Sequence, residues 1–252
     1  MLHTVLLFFY LLTVSAQTLY LAGDSTMALG GGGSGTQGWG VELPQFLTIP
    51  VVNDAVAGTS ARSFTNDGFF TKLIASVKSG DYVVIEFGHN DGSAGAVDNG
   101  NQDAVGNGYN ITGTVTAANG SQILIHSFAY YIENAVNSIK AKGGIPIISS
   151  QTPDNIWNGN VLADGGRFVT YAQSVGTDTD ITYVPHFNYT AQAYDALGET
   201  EVNTFYPIDH LHTSPAGALV VAKAFVRGLL CSNSKLKGFV NAAGQAVPNG
   251  CL

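Results

Sequence analysis

Ser25 stands in Gly23-Asp24-Ser25-Thr26-Met27. A serine hydroxyl holds its proton too tightly to attack a carbonyl carbon at moderate pH, so a nucleophilic role for Ser25 requires a base beside it. His212, in Ile208-Asp209-His210-Leu211-His212-Thr213-Ser214-Pro215, is the candidate base. Asp209, three residues earlier, can fix the imidazole tautomer and stabilise the imidazolium that forms when Ser25 gives up its proton. The chemistry would be acyl transfer through a covalent intermediate. Taken alone, Ser25 reads equally well as a helix N-cap, a position that favours Ser, and Asp24 as the residue that holds the turn. His210 is a second histidine that spacing does not separate from His212.

Acyl transfer also needs donors where the tetrahedral oxyanion develops. The Ser25 backbone is one. Gly58, in Ala57-Gly58-Thr59-Ser60, can offer an unobstructed N–H, and Asn90, in Gly88-His89-Asn90-Asp91, a side-chain amide. Each taken singly is also ordinary turn chemistry. Other chemistries fit less well. His210 and His212 lack a third ligand at a recognised metal-binding spacing, and two isolated cysteines do not make a zinc site, so no metal is expected. The run Gly30-Gly31-Gly32-Gly33-Ser34-Gly35 contains a formal G-x-G-x-x-G, with Asp54 downstream. That fingerprint must begin at the end of the first strand, where Gly23-Asp24-Ser25 already stands. The run is read instead as a flexible loop beside the nucleophile, and no cofactor is expected. A catalytically silent glycan-binding module using Trp39 and Trp157 gives no reason to keep Ser, Gly, Asn, Asp and His together; both tryptophans are read as core or rim packing.

The elements that must carry these residues alternate between strand and helix. Apolar runs at 18–22, 49–52, 82–87, 145–149 and 181–184 read as strands bounded by turn residues. Helical spacing is found in part at 38–47, and at 69–77, 126–142, 166–175, 187–197 and 215–230. Residues 90–121, rich in Gly and Asn, read as a long loop at the rim of the site. This alternation predicts a three-layer α/β/α sandwich around a mainly parallel five-stranded sheet. Function in such sheets gathers outside the carboxyl ends of the strands, and Ser25, Gly58 and Asn90 all follow predicted strands.

Composition narrows the setting. A net charge of -8, a pI near 5.0 and the absence of any basic run argue against nucleic acid and anionic membrane as partners. Residues 1–16 read as a secretory leader, apolar from Leu2 to Val14 and too short for a comfortable span, with cleavage expected after Ala16. Residues 17–252 then form one domain, expected to be an extracellular monomer. In that compartment Asn110, Asn119 and Asn188 are candidate glycosylation sites, and Cys231 and Cys251 a candidate disulfide closing a C-terminal loop. Two free thiols are the alternative.

Four blocks occur in order at strand ends: Gly-Asp-Ser, the loop Gly, Gly-x-Asn-Asp and Asp-x-x-His. On these the chain resembles the SGNH (GDSL-like) hydrolases, whose flavodoxin-like fold it would share. In detail, Ala22-Gly23-Asp24-Ser25-Thr26-Met27, Gly38-Trp39-Gly40, Phe87-Gly88-His89-Asn90-Asp91 and Asp209-His210-Leu211-His212-Thr213-Ser214-Pro215-Ala216-Gly217 are similar to blocks of the rhamnogalacturonan acetylesterases. The resemblance implies Ser25 as nucleophile, His212 as base, Asp209 as orienting carboxylate, and the Ser25 backbone, Gly58 and Asn90 as oxyanion donors. It implies a cofactor-free serine esterase that removes acetyl groups from the galacturonic acid units of pectin's rhamnogalacturonan backbone. Acetylated xylan, a lipid or a thioester are alternative acyl esters. The family's best-known members carry a further disulfide in the loop after the third block, where this chain has no cysteine.

Overall fold

The computed structural model describes residues 17–92 and 97–252; the expected leader, 1–16, lies outside the described residues. Its strands are β1 (Leu19–Gly23), β2 (Val51–Asn53), β3 (Tyr82–Glu86), β4 (Thr112–Thr116), β5 (Gln122–His126), β6 (Ile145–Ser149), β7 (Trp157–Asn158), β8 (Val161–Leu162) and β9 (Thr182–Val184). Its α-helices are α1 (Ala61–Asn66), α2 (Phe69–Ser76), α3 (Phe128–Ala141), α4 (Gly166–Asp178), α5 (His186–Leu197), α6 (Glu199–Asn203), α7 (Pro215–Cys231) and α8 (Ala242–Gln245). Five strands in the order β2-β1-β3-β6-β9 form the central sheet, and every neighbouring pair is parallel.

Alternation along the strands sends side chains to two separate cores. Leu19, Leu21, Tyr82, Val84, Ile147 and Val184 meet Trp39, Val221, Phe225 and Leu229 on one face. Tyr20, Ala22, Val83, Ile85 and Ile148 meet Phe64, Phe70, Ile132, Val136 and Val175 on the other. The result is the expected three-layer sandwich. Trp39 and Phe225 stack with centroids 4.7 Å apart, and Phe225 is fully buried. Truncating such a ring to Ala typically costs about 3–5 kcal/mol.

The strand order reverses at β1, which pairs with β2 on one side and β3 on the other. A crevice opens at the carboxyl end of a sheet where such a reversal occurs. Ser25 follows β1, Gly58 follows β2 and Asn90 follows β3, so the sheet delivers all three to that crevice.

The structure revises the expected long loop. Part of 90–121 is β4, which pairs antiparallel with β5 and opposes Thr114 to Leu124. Ala104, Val115 and Ile125 make a small satellite core beneath this hairpin. The following helix starts at Phe128 rather than at 126, because Ser127 caps it by accepting from the Tyr130 N–H at 3.2 Å. The helix α1 and the short β7–β8 hairpin also lie where no regular element was expected. Residues 97–104, which have no cysteine, are held by the Arg62–Asp98 ion pair at 2.8 Å and by Gln102 Nε2 donating to the Val97 carbonyl at 2.9 Å. Cys231 and Cys251 are disulfide-bonded, with Cα atoms 5.6 Å apart, and tie the tail to the end of α7.

Candidate active site

Where β1 ends, the chain turns about Asp24. The Asp24 carbonyl accepts from the N–H groups of Met27 and Ala28, and its Oδ1 accepts from the Thr26 N–H at 2.9 Å and the Thr26 hydroxyl at 2.8 Å. Asp24 therefore holds the turn, as expected. Burial pushes its pKa up, against the opposing pull of His89 and the Thr26 hydrogen bonds. Gly23 has no room for a side chain: a Cβ there would lie 2.8 Å from the Met27 sulfur. Ser25 does not cap a helix. Its Oγ is 2.8 Å from His212 Nε2.

His212 sits just before α7, whose start is fixed by Pro215 in the first turn and by Ser214, which accepts from the Gly217 N–H at 3.4 Å. Asp209 Oδ1 accepts from the backbone N–H groups of Leu211 at 2.8 Å and His212 at 2.7 Å, while Oδ2 meets His212 Nδ1 at 2.6 Å. Burial acts to raise the Asp209 pKa, but the donors from the His212 ring, the His212 N–H and the Leu211 N–H outweigh it and hold the carboxyl below its usual range. An anionic Asp209 accepts a hydrogen bond from Nδ1–H and so keeps the proton on that nitrogen, which leaves Nε2 to accept from the Ser25 hydroxyl. Ser25, His212 and Asp209 thus form one hydrogen-bonded series.

The glycine run bears directly on that series. A Cβ at Gly32 would lie 2.4 Å from the His212 ring, so only glycine fits there. The run is a succession of tight turns, with Gly31 bonded to Ala28, Gly33 to Gly30 and Thr36 to Gly33 through the backbone. The adjacent strand of chain is laced to the histidine segment: Gln37 N–H donates to the Thr213 carbonyl at 2.7 Å, and the Thr213 hydroxyl to the Gln37 carbonyl at 3.0 Å.

The backbone N–H groups of Ser25 and Gly58 have no protein acceptor among the described residues. Asn90 Nδ2 donates one hydrogen to the Thr59 carbonyl at 2.9 Å, which anchors the amide, and its second hydrogen has no acceptor among the described residues. Gly58 is exposed, with φ +79°, a conformation suited to glycine. Asn101 Nδ2 donates to the Gly58 carbonyl at 3.0 Å. Behind Asn90, Asp91 Oδ1 accepts from the Ala61 N–H at 2.8 Å, so the segments carrying Asn90 and Gly58 are strapped together twice. Asp91 Oδ2 and both Asp103 carboxylate oxygens are buried with no ordinary donor among the described residues, and the two carboxyls face one another. One proton shared between the carboxyls would serve Asp91 Oδ2 and one Asp103 oxygen. Burial, chiefly, pushes the Asp91 pKa up to about 7, and burial together with Asp91 raises that of Asp103.

The other expected residues fall as follows. His210 pairs with Asn155, its Nδ1 3.0 Å from the Asn155 carbonyl while the Asn155 N–H donates to the His210 carbonyl at 2.7 Å. Trp39 is a core residue whose Nε1 donates to Glu86 at 2.8 Å. Trp157 is half-buried and donates to Asn155 Oδ1 at 2.7 Å. Asn110, Asn119 and Asn188 are all exposed. Sequence reading missed Glu86, which also accepts from Ser149 Oγ and lies 2.8 Å from His186 Nδ1. His186 Nε2 lies 3.0 Å from the Val221 carbonyl, so both ring nitrogens have a polar neighbour. These buried contacts tie α5 to β3 and to α7.

Beside Gly58 the surface opens into a depression of about 500 Å³, bordered by Asn66, Asp67, Asn99 and Asn101 with Phe69. A more apolar cavity of about 240 Å³ lies between α5 and α7 and touches none of Ser25, Gly58, Asn90 or His212.

Residues 19–225 match the model of the GDSL-like lipase/acylhydrolase family. The chain is 45% identical, over 222 residues covering 88% of each chain, to a rhamnogalacturonan acetylesterase of Emericella nidulans. It is 22% identical to a probable rhamnogalacturonan acetylesterase of Bacillus subtilis, over 85% of this chain and 93% of the other. Among solved structures, a Bacillus subtilis protein superposes with a TM-score of 0.66 at 24% identity, covering 86% of this chain and 56% of that one. A catalytic mutant of an acetylxylan esterase from Geobacillus stearothermophilus superposes with a TM-score of 0.53 at 18% identity, covering 90% and 98%.

Proposed function

The chain belongs to the GDSL-like lipase/acylhydrolase family and is an ester hydrolase, and from that premise we propose that it removes acetyl groups from the rhamnogalacturonan backbone of pectin. In this reading His212 takes the Ser25 proton as the hydroxyl attacks the acetyl carbonyl. The Ser25 and Gly58 N–H groups and the Asn90 amide receive the oxyanion. His212 then protonates the departing sugar oxygen, and water repeats the cycle on the acetyl-enzyme. Asp209 holds the ring and stabilises its charged form. The observation that carries the proposal is the unbroken series Ser25 Oγ, His212 and Asp209 at 2.8 and 2.6 Å, set beside two backbone donors that no protein group uses among the described residues.

The pectin substrate rests on the 45% identity to the Emericella nidulans enzyme. The polar lining beside Gly58 suits a hydrated polymer better than an acyl chain, and the apolar cavity is not at the nucleophile. Action outside the cell as a monomer belongs to the same proposal, with a disulfide that suits an oxidising compartment. The test is acetate release by the purified protein from acetylated rhamnogalacturonan, acetylated xylan and a long-chain lipid ester. Preference for the pectin fragment is expected. Preference for xylan would discard the substrate and keep the chemistry, whereas preference for the lipid ester would discard the polysaccharide reading.

A further inference from the structure

The depression beside Gly58 continues past Val56 and Phe69, which border both regions, into a second one of about 220 Å³ bordered by Asp54, Lys72 and Leu73. Together they form a groove that leads from a candidate oxyanion donor to a lysine. One wall is the end of α1 and the start of α2, with Asn66 and Asp67; the other is the turn Asn99-Gly100-Asn101.

Both walls are fixed in place. Asp98 is paired with buried Arg62 and its Oδ1 also accepts from the Gly100 N–H at 3.0 Å; Gly100 has φ +85°. Asn99 Oδ1 accepts from the Asn101 N–H at 2.9 Å. The exposed Asn101 amide spends one hydrogen on the Gly58 carbonyl, which links the groove wall to the peptide beside the nucleophile. Among the described residues, the Asn66 side-chain amide, the Asn99 Nδ2 and the Asn101 Oδ1 find no protein partner. Lys72 Nζ has no carboxylate within 4 Å among them, although its charge reaches Asp54, whose pKa burial raises and Lys72 opposes. Asp54 and Asp67 are the carboxylates on the walls, and Lys72 is their one cation among the described residues.

Neutral amides with spare hydrogen-bonding capacity, a partly exposed aromatic ring and a single cation are what a polyhydroxylated chain carrying sparse carboxylates requires. We propose that this groove seats the sugar units flanking the acetylated one, with Asn66, Asn99 and Asn101 binding hydroxyls, Phe69 lying against a sugar face, and Lys72 pairing with a uronate carboxylate. The proposal rests on the polysaccharide reading above. It makes Asn66 and Lys72 specificity-determining residues for the polymer, and Asn101 both a groove wall and a positioning residue for Gly58.

The experiment compares kcat/KM on acetylated rhamnogalacturonan with kcat/KM on 4-nitrophenyl acetate, which is too small to fill the groove, for wild type, Asn66→Ala and Lys72→Gln. In parallel, the same two substitutions are made in a Ser25→Ala background and titrated with deacetylated rhamnogalacturonan oligosaccharides. The polymer-to-small-ester ratio is expected to fall about threefold to tenfold in each variant, the scale of losing one hydrogen bond or exposed ion pair. Oligosaccharide affinity is expected to weaken alike, and for Lys72→Gln the loss should shrink as salt is raised. An unchanged ratio and unchanged affinity in both variants would overturn the groove. A wild-type enzyme that releases no acetate from the polymer would instead overturn the reading on which it rests.

Discussion

Gly32 and His212 are in such close approach that a single added methyl group at Gly32 would lie 2.4 Å from the imidazole. The backbone of the glycine run is therefore one wall of the seat that aims His212 Nε2 at Ser25. Gly32 lies outside the positive-φ region, so alanine there meets the clash with the ring alone. Gly32→Ala should push the ring off line and lower kcat/KM by about 10²-fold, the scale of an ångström-sized misplacement of a catalytic group. Circular dichroism and thermal melting should stay close to wild type. Full activity in a folded Gly32→Ala protein would show that the wall does not position the ring.

Asp209 holds three donors, two from backbone and one from the His212 ring. Its depressed pKa keeps it a carboxylate from neutral pH down through the ordinary carboxylate range, so any contribution of its charge is present above that range and fades only as pH falls through the lowered value. Asp209→Asn should reduce kcat by about 10⁴-fold, because an amide can present its N–H to Nδ1 and favour the wrong tautomer. Steady-state kinetics from pH 5 to 8 should show the loss throughout.

The Asp91–Asp103 pair works in the opposite direction on pH. Its raised values mean that the native state holds a proton the unfolded chain releases near pH 4. The stabilisation is complete below the unfolded value and is lost as pH rises through about 7 for Asp91. Melting temperature should therefore decline between pH 5 and 8. Asp103→Asn, which removes one of the two carboxylates, should flatten that decline, and a slope identical to wild type would rule out the shared proton.

His186→Ala leaves buried Glu86 with the Trp39 and Ser149 donors but without its His186 partner. Leaving a buried polar group short of a hydrogen-bond partner costs about 1–3 kcal/mol. Urea unfolding should show a loss of this size, and a change below about 1 kcal/mol would mean that the pair contributes little.

Much of this was legible in the residues and some was not. Tyr82-Val83-Val84-Ile85 announces a buried parallel strand because β-branched and aromatic residues run without a polar break, and Gly23 and Gly88 mark where β1 and β3 stop. The serine, histidine and aspartate were legible because their chemistry demands one another. The hairpin of β4 and β5 was missed because Thr112-Gly113-Thr114-Val115-Thr116 is short, polar on its open face and broken by a glycine. Asn119-Gly120 between two alternating runs was the signal that could have found it. The Glu86–His186 pair joins residues 100 apart, and no local pattern encodes a contact that only the packed sheet creates. Gly32 read as one glycine among several because a close approach leaves no mark on composition.

Acetate released from acetylated rhamnogalacturonan, measured for wild type and for a folded Ser25→Ala protein side by side, decides whether Ser25 is the nucleophile of a pectin acetylesterase. The expected result is steady release by wild type and a loss of about 10⁴-fold or more in the variant, with an unchanged melting profile. Comparable release by Ser25→Ala would contradict the covalent mechanism outright.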